Sequence, residues 1–148
     1  KTPGRTQLIN IFDLDGERRL VDLPGYGYAK VPVTVRDHWR GLVDSYLKQR
    51  KSLKGVVLII DSRHPLKEFD RQMLAYAEAI DLACHVVLTK SDKLSRSEAA
   101  RTLAVTRAEL GADGSADARV SVQLFSATAK VGLDEARDVV MRWLGGTR

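Results

Sequence analysis

Asp22-Leu23-Pro24-Gly25, Thr89-Lys90-Ser91-Asp92 and Phe125-Ser126-Ala127 are the segments of this chain whose residue types and spacing could do chemistry. A carboxylate such as Asp22 at the end of a strand can hold Mg²⁺ through water. The nearby Gly25 lets a backbone N–H approach a terminal phosphate closely. In the second segment Asp92 can accept from the paired N1 and N2 donors of guanine. The Lys90 stem can lie along a base plane, and the Thr89 hydroxyl can tie the loop to its neighbours. Adenine has no such donor pair and would leave the carboxylate unpaired, so this pattern separates the two purines. In the third segment Ser126-Ala127 offers a backbone N–H to guanine O6. Together the three segments spell a guanine-nucleotide site.

Taken singly each segment has a bland explanation. Pro-Gly after a strand is ordinary turn chemistry, a charged turn often precedes a helix, and Ser-Ala is uninformative. The force lies in their order and in the fact that each follows a predicted strand. A further candidate lies near the start, in Thr2-Pro3-Gly4-Arg5-Thr6-Gln7. The Thr6 hydroxyl suits direct Mg²⁺ binding and its N–H suits sensing a γ-phosphate. Thr2 competes, but Thr6 lies nearer the strand, as a switch threonine should. Pro24-Gly25-Tyr26-Gly27-Tyr28 has the glycines of a second switch. The loop G-x-x-x-x-G-K-[ST], which cradles phosphates, occurs nowhere in the chain.

The elements that must position these residues are legible from periodicity. Residues 7–13 read as a strand, Asp15-Gly16 as a turn and residues 18–22 as its antiparallel partner. A helix fits residues 35–49, with Trp39, Leu42, Val43, Tyr46 and Leu47 on one side. Residues 56–60 are a buried strand ending in Asp61. Pro65 is placed to open a helix with Leu66, Phe69, Met73, Ala77 and Ile80 in its stripe. Residues 85–88 form the strand that delivers Thr89 to Asp92. Ser95 and Glu98 match a capping box for a helix to about Leu110. Residues 120–125 alternate as a strand, and residues 133–144 close the chain as a helix. The repeated alternation of helix and strand predicts an α/β fold with a mostly parallel sheet, helices on both faces and one antiparallel edge strand. Ligands of such sheets bind beyond the carboxyl ends of the strands, where the three segments fall.

With 148 residues, 44% of them hydrophobic, the chain fits a single domain with a substantial core. The net charge is +5, with basic clusters at Arg18-Arg19 and at Lys48, Arg50, Lys51 and Lys54. They suit a nucleic-acid contact or a solvated surface. The lone Cys84 cannot form an internal disulfide and reads as a small core residue. His38, His64 and His85 lack metal-ligand spacing. The run from Val56 to Ile60 is far too short to span a bilayer, and the expectation is that no signal peptide precedes the domain. A cytoplasmic location is the expectation.

K-T-P-G-R-T-Q-L-I-N, V-D-L-P-G-Y-G-Y-A-K-V-P, D-S-R-H-P-L-K and L-T-K-S-D-K-L, in this order and spacing, resemble the EngB (YihA/YsxC) family of bacterial GTPases over the whole chain. The resemblance implies a P-loop NTPase G domain of the translation-factor type, binding GTP or GDP with Mg²⁺. It also implies a role in large ribosomal subunit assembly, with a requirement for normal cell division and septation. Carried over, Gly4, Arg5, Thr6, Gln7 and Leu8 form switch I, with Thr6 the direct Mg²⁺ ligand. Asp22, Leu23, Pro24 and Gly25 form the Mg²⁺-water and γ-phosphate segment. Thr89, Lys90, Ser91 and Asp92 clamp the guanine, and Phe125, Ser126 and Ala127 support it. The implied partner is the large-subunit precursor, through its RNA or proteins, with the protein a monomer.

Two departures from the wider GTPase pattern stand out. Where many GTPases place a water-orienting glutamine after the D-x-x-G glycine, this chain has Tyr26, so slow intrinsic hydrolysis is expected. A partner or a monovalent cation would complete that site. Family members also carry a strand, the phosphate loop and a helix before the residue numbered Lys1 here. That strand lies between the one ending at Asp22 and the one ending at Asp61. With strands about 4.8 Å apart, its absence opens a gap of roughly 10 Å between unpaired edges. The expectation is that residues 1–148 are an N-terminally incomplete G domain that binds GTP poorly by itself. A nucleotide-independent RNA- or protein-binding adaptor is the alternative from another class. A nucleotide kinase is disfavoured for want of acceptor-substrate residues.

Overall fold

The computed structural model describes residues 9–23, 25, 33–115 and 118–145, except for the side chains of Val35, Arg36 and Trp39. The chain forms two compact units, residues 1–53 and 54–148.

In the first unit, β1 (Asn10–Asp13) and β2 (Arg19–Asp22) pair antiparallel, with Ile11 opposite Val21 and Phe12 opposite Leu20. Short acidic side chains shape the turn between them. Asp13 Oδ1 accepts the Gly16 N–H at 2.6 Å, and Asp15 Oδ1 accepts that of Arg18 at 2.9 Å. Gly16, at φ +83°, takes the left-handed position that the turn requires. The first helix, α1 (Val33–Gln49), buries Val43 and Leu47 one turn apart. At its end Lys48 pairs with Asp44 at 2.9 Å, and the Arg50 guanidinium lies 4.7 Å from the centre of the Tyr46 ring. Two members of the basic cluster thus already have partners on the helix surface.

The second unit contains β3 (Gly55–Asp61), β4 (Ala83–Thr89) and β5 (Val120–Leu124), all parallel and in that spatial order. The connections are α2 (Glu68–Ala79) and α3 (Arg96–Leu110), and α4 (Leu133–Trp143) follows β5. Two successive crossovers running in the same direction across the sheet are right-handed and place α2 and α3 on one face. That face is apolar, with Leu58, Ile60, Val86, Leu88 and Val122 buried. The opposite face carries His85, Val87, Ser121 and Gln123, and α4 lies against it, with the Trp143 ring edge-on to His85 at 6.5 Å. Gly55 makes this approach possible, because a Cβ there would sit 2.5 Å from the Trp143 ring. Val57 and Ile59 of the same face stay exposed.

The fold is thus the expected α/β arrangement with helices on both faces of a parallel sheet. Within the first unit the antiparallel pair forms a ladder of its own. The helix start at Pro65 is corrected: α2 begins at Glu68. Leu66 adopts φ +54°, which turns the chain away from the helix axis. Asp70 Oδ2 then accepts the Lys67 N–H at 2.8 Å, and Arg71 Nε donates to the Leu66 carbonyl at 3.0 Å. Leu66 is still buried, but from the turn and not from the helix stripe. The capping box of α3 forms as read, with Ser95 N–H donating to Glu98 Oε2 at 2.8 Å and Glu98 N–H to Ser95 Oγ at 3.2 Å. Cys84 is buried, and burial pushes its thiol up to about 12.

No described helix is long and apolar enough to cross a membrane.

Candidate functional site

The ends of β3, β4 and β5 bring two of the three sequence segments together. Parallel pairing carries Asp61 opposite Thr89 and Leu88 opposite Leu124, so all three strands release their loops at the same edge. Backbone bonds continue past the ladder: Phe125 N–H donates to the Leu88 carbonyl at 2.8 Å and Ser91 N–H to the Phe125 carbonyl at 3.1 Å. On the other side, Ser62 N–H reaches the Thr89 carbonyl at 2.9 Å, and the Thr89 hydroxyl donates to the Ile60 carbonyl at 3.1 Å. The threonine therefore ties the loop to its neighbour strand, as its residue type suggested.

Lys90 turns the chain sharply, at φ +57°, into a single 3₁₀ turn over Ser91–Lys93. That turn presents Asp92. The buried Ser126 donates its hydroxyl to Asp92 Oδ1 at 2.6 Å, and Ser126 Oγ in turn accepts the Ala129 N–H at 3.1 Å. The Ser126 hydroxyl, with burial opposing it, holds the Asp92 carboxyl below the usual carboxylate range. Asp92 is thus an ionised acceptor with one oxygen anchored and its side chain about a quarter exposed. This is the arrangement needed to receive a pair of N–H donors from a base edge.

Of the two backbone donors in Ser126-Ala127, that of Ser126 is already taken: its N–H donates to the Val131 carbonyl at 3.0 Å, and Val131 N–H returns to the Ser126 carbonyl at 3.0 Å. The reciprocal pair closes the loop 126–131 at its base. Ala127 is left as the N–H donor of the segment, and the contribution of Ser126 is its hydroxyl.

The loop is fastened from below by a side chain that sequence reasoning missed. Gln123 is completely buried, and its Nε2 donates to the Gly132 carbonyl at 2.7 Å and the Leu124 carbonyl at 3.1 Å. Both amide hydrogens being spent, Oε1 must accept from His85 Nε2, 2.7 Å away. His85 Nδ1 then accepts the Ser121 hydroxyl at 2.6 Å. The imidazole is neutral and of fixed tautomer, and burial lowers its pKa. Gly132, at φ +77°, is required here, since a Cβ would overlap the Leu124 carbonyl and the Gln123 amide. The only sequence signal was a polar residue at an inward position of an alternating strand.

In the first unit, Asp22 ends β2 and is exposed, with Gly25 exposed three residues on. Among the described residues the Asp22 carboxylate has no ion-pair partner. A free carboxylate at a strand end is a hard oxygen donor and fits a water-mediated Mg²⁺ contact. Gly4, Arg5, Thr6, Gln7, Leu8, Pro24 and Tyr26 lie outside the described residues.

An anchored carboxylate after one strand and a serine-alanine loop after the next, on a parallel α/β sheet, define a G domain of the P-loop GTPase class. Residues 1–90 match the family described as 50S ribosome-binding GTPase. The chain is 56% identical over 145 residues to the probable GTP-binding protein EngB of Aromatoleum aromaticum, covering 98% of this chain and 66% of that protein. It is 52% identical to the probable GTP-binding protein EngB of Stenotrophomonas maltophilia, over 98% of this chain and 72% of that one. The crystal structure of a probable GTP-binding protein engB superposes with a TM-score of 0.77 at 14% identity, over 98% of this chain and 86% of that one. The chain belongs to the EngB family of GTP-binding proteins. It spans about two thirds of the length of these two relatives.

Proposed function

We propose that the protein is a GTP-dependent switch that acts on the precursor of the large ribosomal subunit. The single observation that carries this reading is the 2.6 Å bond from Ser126 Oγ to Asp92 Oδ1. It joins two segments 34 positions apart into one clamp, and it supports the reading in which the ionised Asp92 carboxylate receives a base edge. In this reading Asp92 accepts the guanine N1 and N2 donors, Ala127 N–H donates to O6, and the Lys90 stem covers the base plane. Asp22, through water, and the Thr6 hydroxyl would hold Mg²⁺, which supplies positive charge to the β- and γ-phosphates when bound. Gly25 N–H senses the γ-phosphate, and its loss on hydrolysis releases both switch segments.

Tyr26 stands where a water-orienting glutamine would serve, so intrinsic hydrolysis is slow and awaits a partner or a monovalent cation. The family description and the basic cluster at Lys48, Arg50, Lys51 and Lys54 support a ribosomal partner. A role in subunit assembly, and through it in cell division and septation, accords with a cytoplasmic monomer. The test is competition binding with the intact protein. GDP should outcompete ADP by about a hundredfold or more. Equal binding of the two sinks the reading.

A further inference from the structure

Outside the three nucleotide segments, one carboxylate is built into the same edge of the sheet. Asp61 is the last residue of β3, its backbone in register with Thr89. Its Oδ2 accepts Lys90 Nζ at 3.2 Å. Arg63 grips the same carboxylate as a fork, with Nε on Oδ1 at 3.0 Å and Nη2 on Oδ2 at 2.8 Å. The fork fixes the plane of the carboxylate, and the remaining lone pair of Oδ2 points the lysine. Arg63 foremost, with Lys90 adding to it, holds the Asp61 carboxyl well below the usual range, so it stays charged at any working pH.

Lys90 has a backbone that needs such support. Its φ of +57° is unusual for a residue with a side chain, and strain of this kind persists only where neighbours over-determine it. The Thr89 hydroxyl on Ile60 and the Ser62 N–H on the Thr89 carbonyl secure the backbone before the turn. Only the Asp61 contact secures the side chain after it among the described residues.

We infer that Asp61 is a positioning residue of the base site, one that pins the Lys90 ammonium so that the four-carbon stem is already extended when a nucleotide arrives. The inference rests on the guanine-site reading above. The gain is pre-organisation: a long flexible side chain is ordered before binding, so less entropy is lost on binding. Because the stem contacts the base and not the phosphates, the benefit is the same for GDP and GTP.

The test is a double-mutant cycle on the intact protein, read by displacement of a fluorescent GDP analogue. Asp61→Asn should weaken GDP and GTP alike by about two- to fivefold, the upper range of a partly exposed ion pair. Lys90→Met keeps the stem but loses the ammonium, and should lose a similar factor. In the Lys90→Met background, Asp61→Asn should change affinity by less than about twofold. An effect of Asp61→Asn that is equally large in both backgrounds, or one below twofold in the wild-type background, overturns the inference. If Asp61→Asn does not fold, Lys90→Met alone decides, since wild-type affinity in that variant equally refutes it. Asp92→Asn in the same assay separates the layers: if it leaves guanine preference intact, the base-site reading has failed, and with it the inference.

Discussion

Replacing Gln123 by methionine removes three hydrogen bonds while keeping an unbranched side chain of nearly the same volume. The amide donates to the Gly132 and Leu124 carbonyls and accepts from His85 Nε2, all away from solvent. Gly132 keeps a second partner, the Ala136 N–H at 3.1 Å, so its carbonyl is weakened but not orphaned. His85 Nε2–H is the stranded group, in a side chain 1% exposed. An unsatisfied buried donor costs about 1–3 kcal/mol, and each of the two lost carbonyl bonds about 0.5–1 kcal/mol, giving about 2–5 kcal/mol in all. For a chain of this size that lowers the thermal midpoint by roughly 5–20 °C. Urea unfolding of the intact protein, wild type against Gln123→Met, measures it. If only volume mattered, methionine would cost less than about 1.5 kcal/mol. A midpoint unchanged within error would show that the His85–Gln123–Gly132 chain does not hold the base-binding loop.

Two further outcomes follow from the same face of the sheet. The unfolded chain takes up a proton at His85 near pH 6.5, whereas burial makes the folded protein resist it. The contribution of His85 is therefore complete above about pH 6.5 and is lost as pH falls towards the lower folded value. Unfolding midpoints at pH 7.5 and 5.5 should differ by less in His85→Gln than in wild type, and equal differences would contradict the assignment. Gly55→Ala drives a Cβ into the Trp143 ring and should destabilise by about 1–3 kcal/mol, measured by urea unfolding; a neutral effect would mean that α4 does not lie against β3 as described.

The architecture of the second unit was legible because its elements declare themselves locally. Apolar runs such as Val56 to Ile60 alternate with amphipathic segments, and Ser95 with Glu98 marks a helix start by its own chemistry. That alternation also fixes which edge of the sheet carries Thr89 to Asp92 and Ser126. Features set by contacts between distant residues were not legible. Pro65 is an acceptable first helical residue, and only the left-handed turn at Leu66, held by Arg71, moves the start to Glu68. The sequence leaves Ser126 and Ala127 equal as backbone donors, and only the antiparallel bridge to Val131 shows that the N–H of Ser126 is consumed. Asp61 ends a strand in the sequence, but its bond to Lys90 crosses 29 positions. Gln123 reads as an ordinary strand residue because its partners lie on β4 and in the loop before α4.

The central claim is that Asp92 reads guanine, and Asp92→Asn tests it most directly. The substituted amide presents a donor where the carboxylate accepted, which mismatches the guanine N2 amine and matches the xanthine O2. Binding of GDP and XDP to the intact wild-type and Asp92→Asn proteins should show preference reversed, with GDP weakened by on the order of a hundredfold and XDP strengthened. An Asp92→Asn protein that binds GDP as the wild type does, or a wild type that does not distinguish GDP from XDP, would contradict the account.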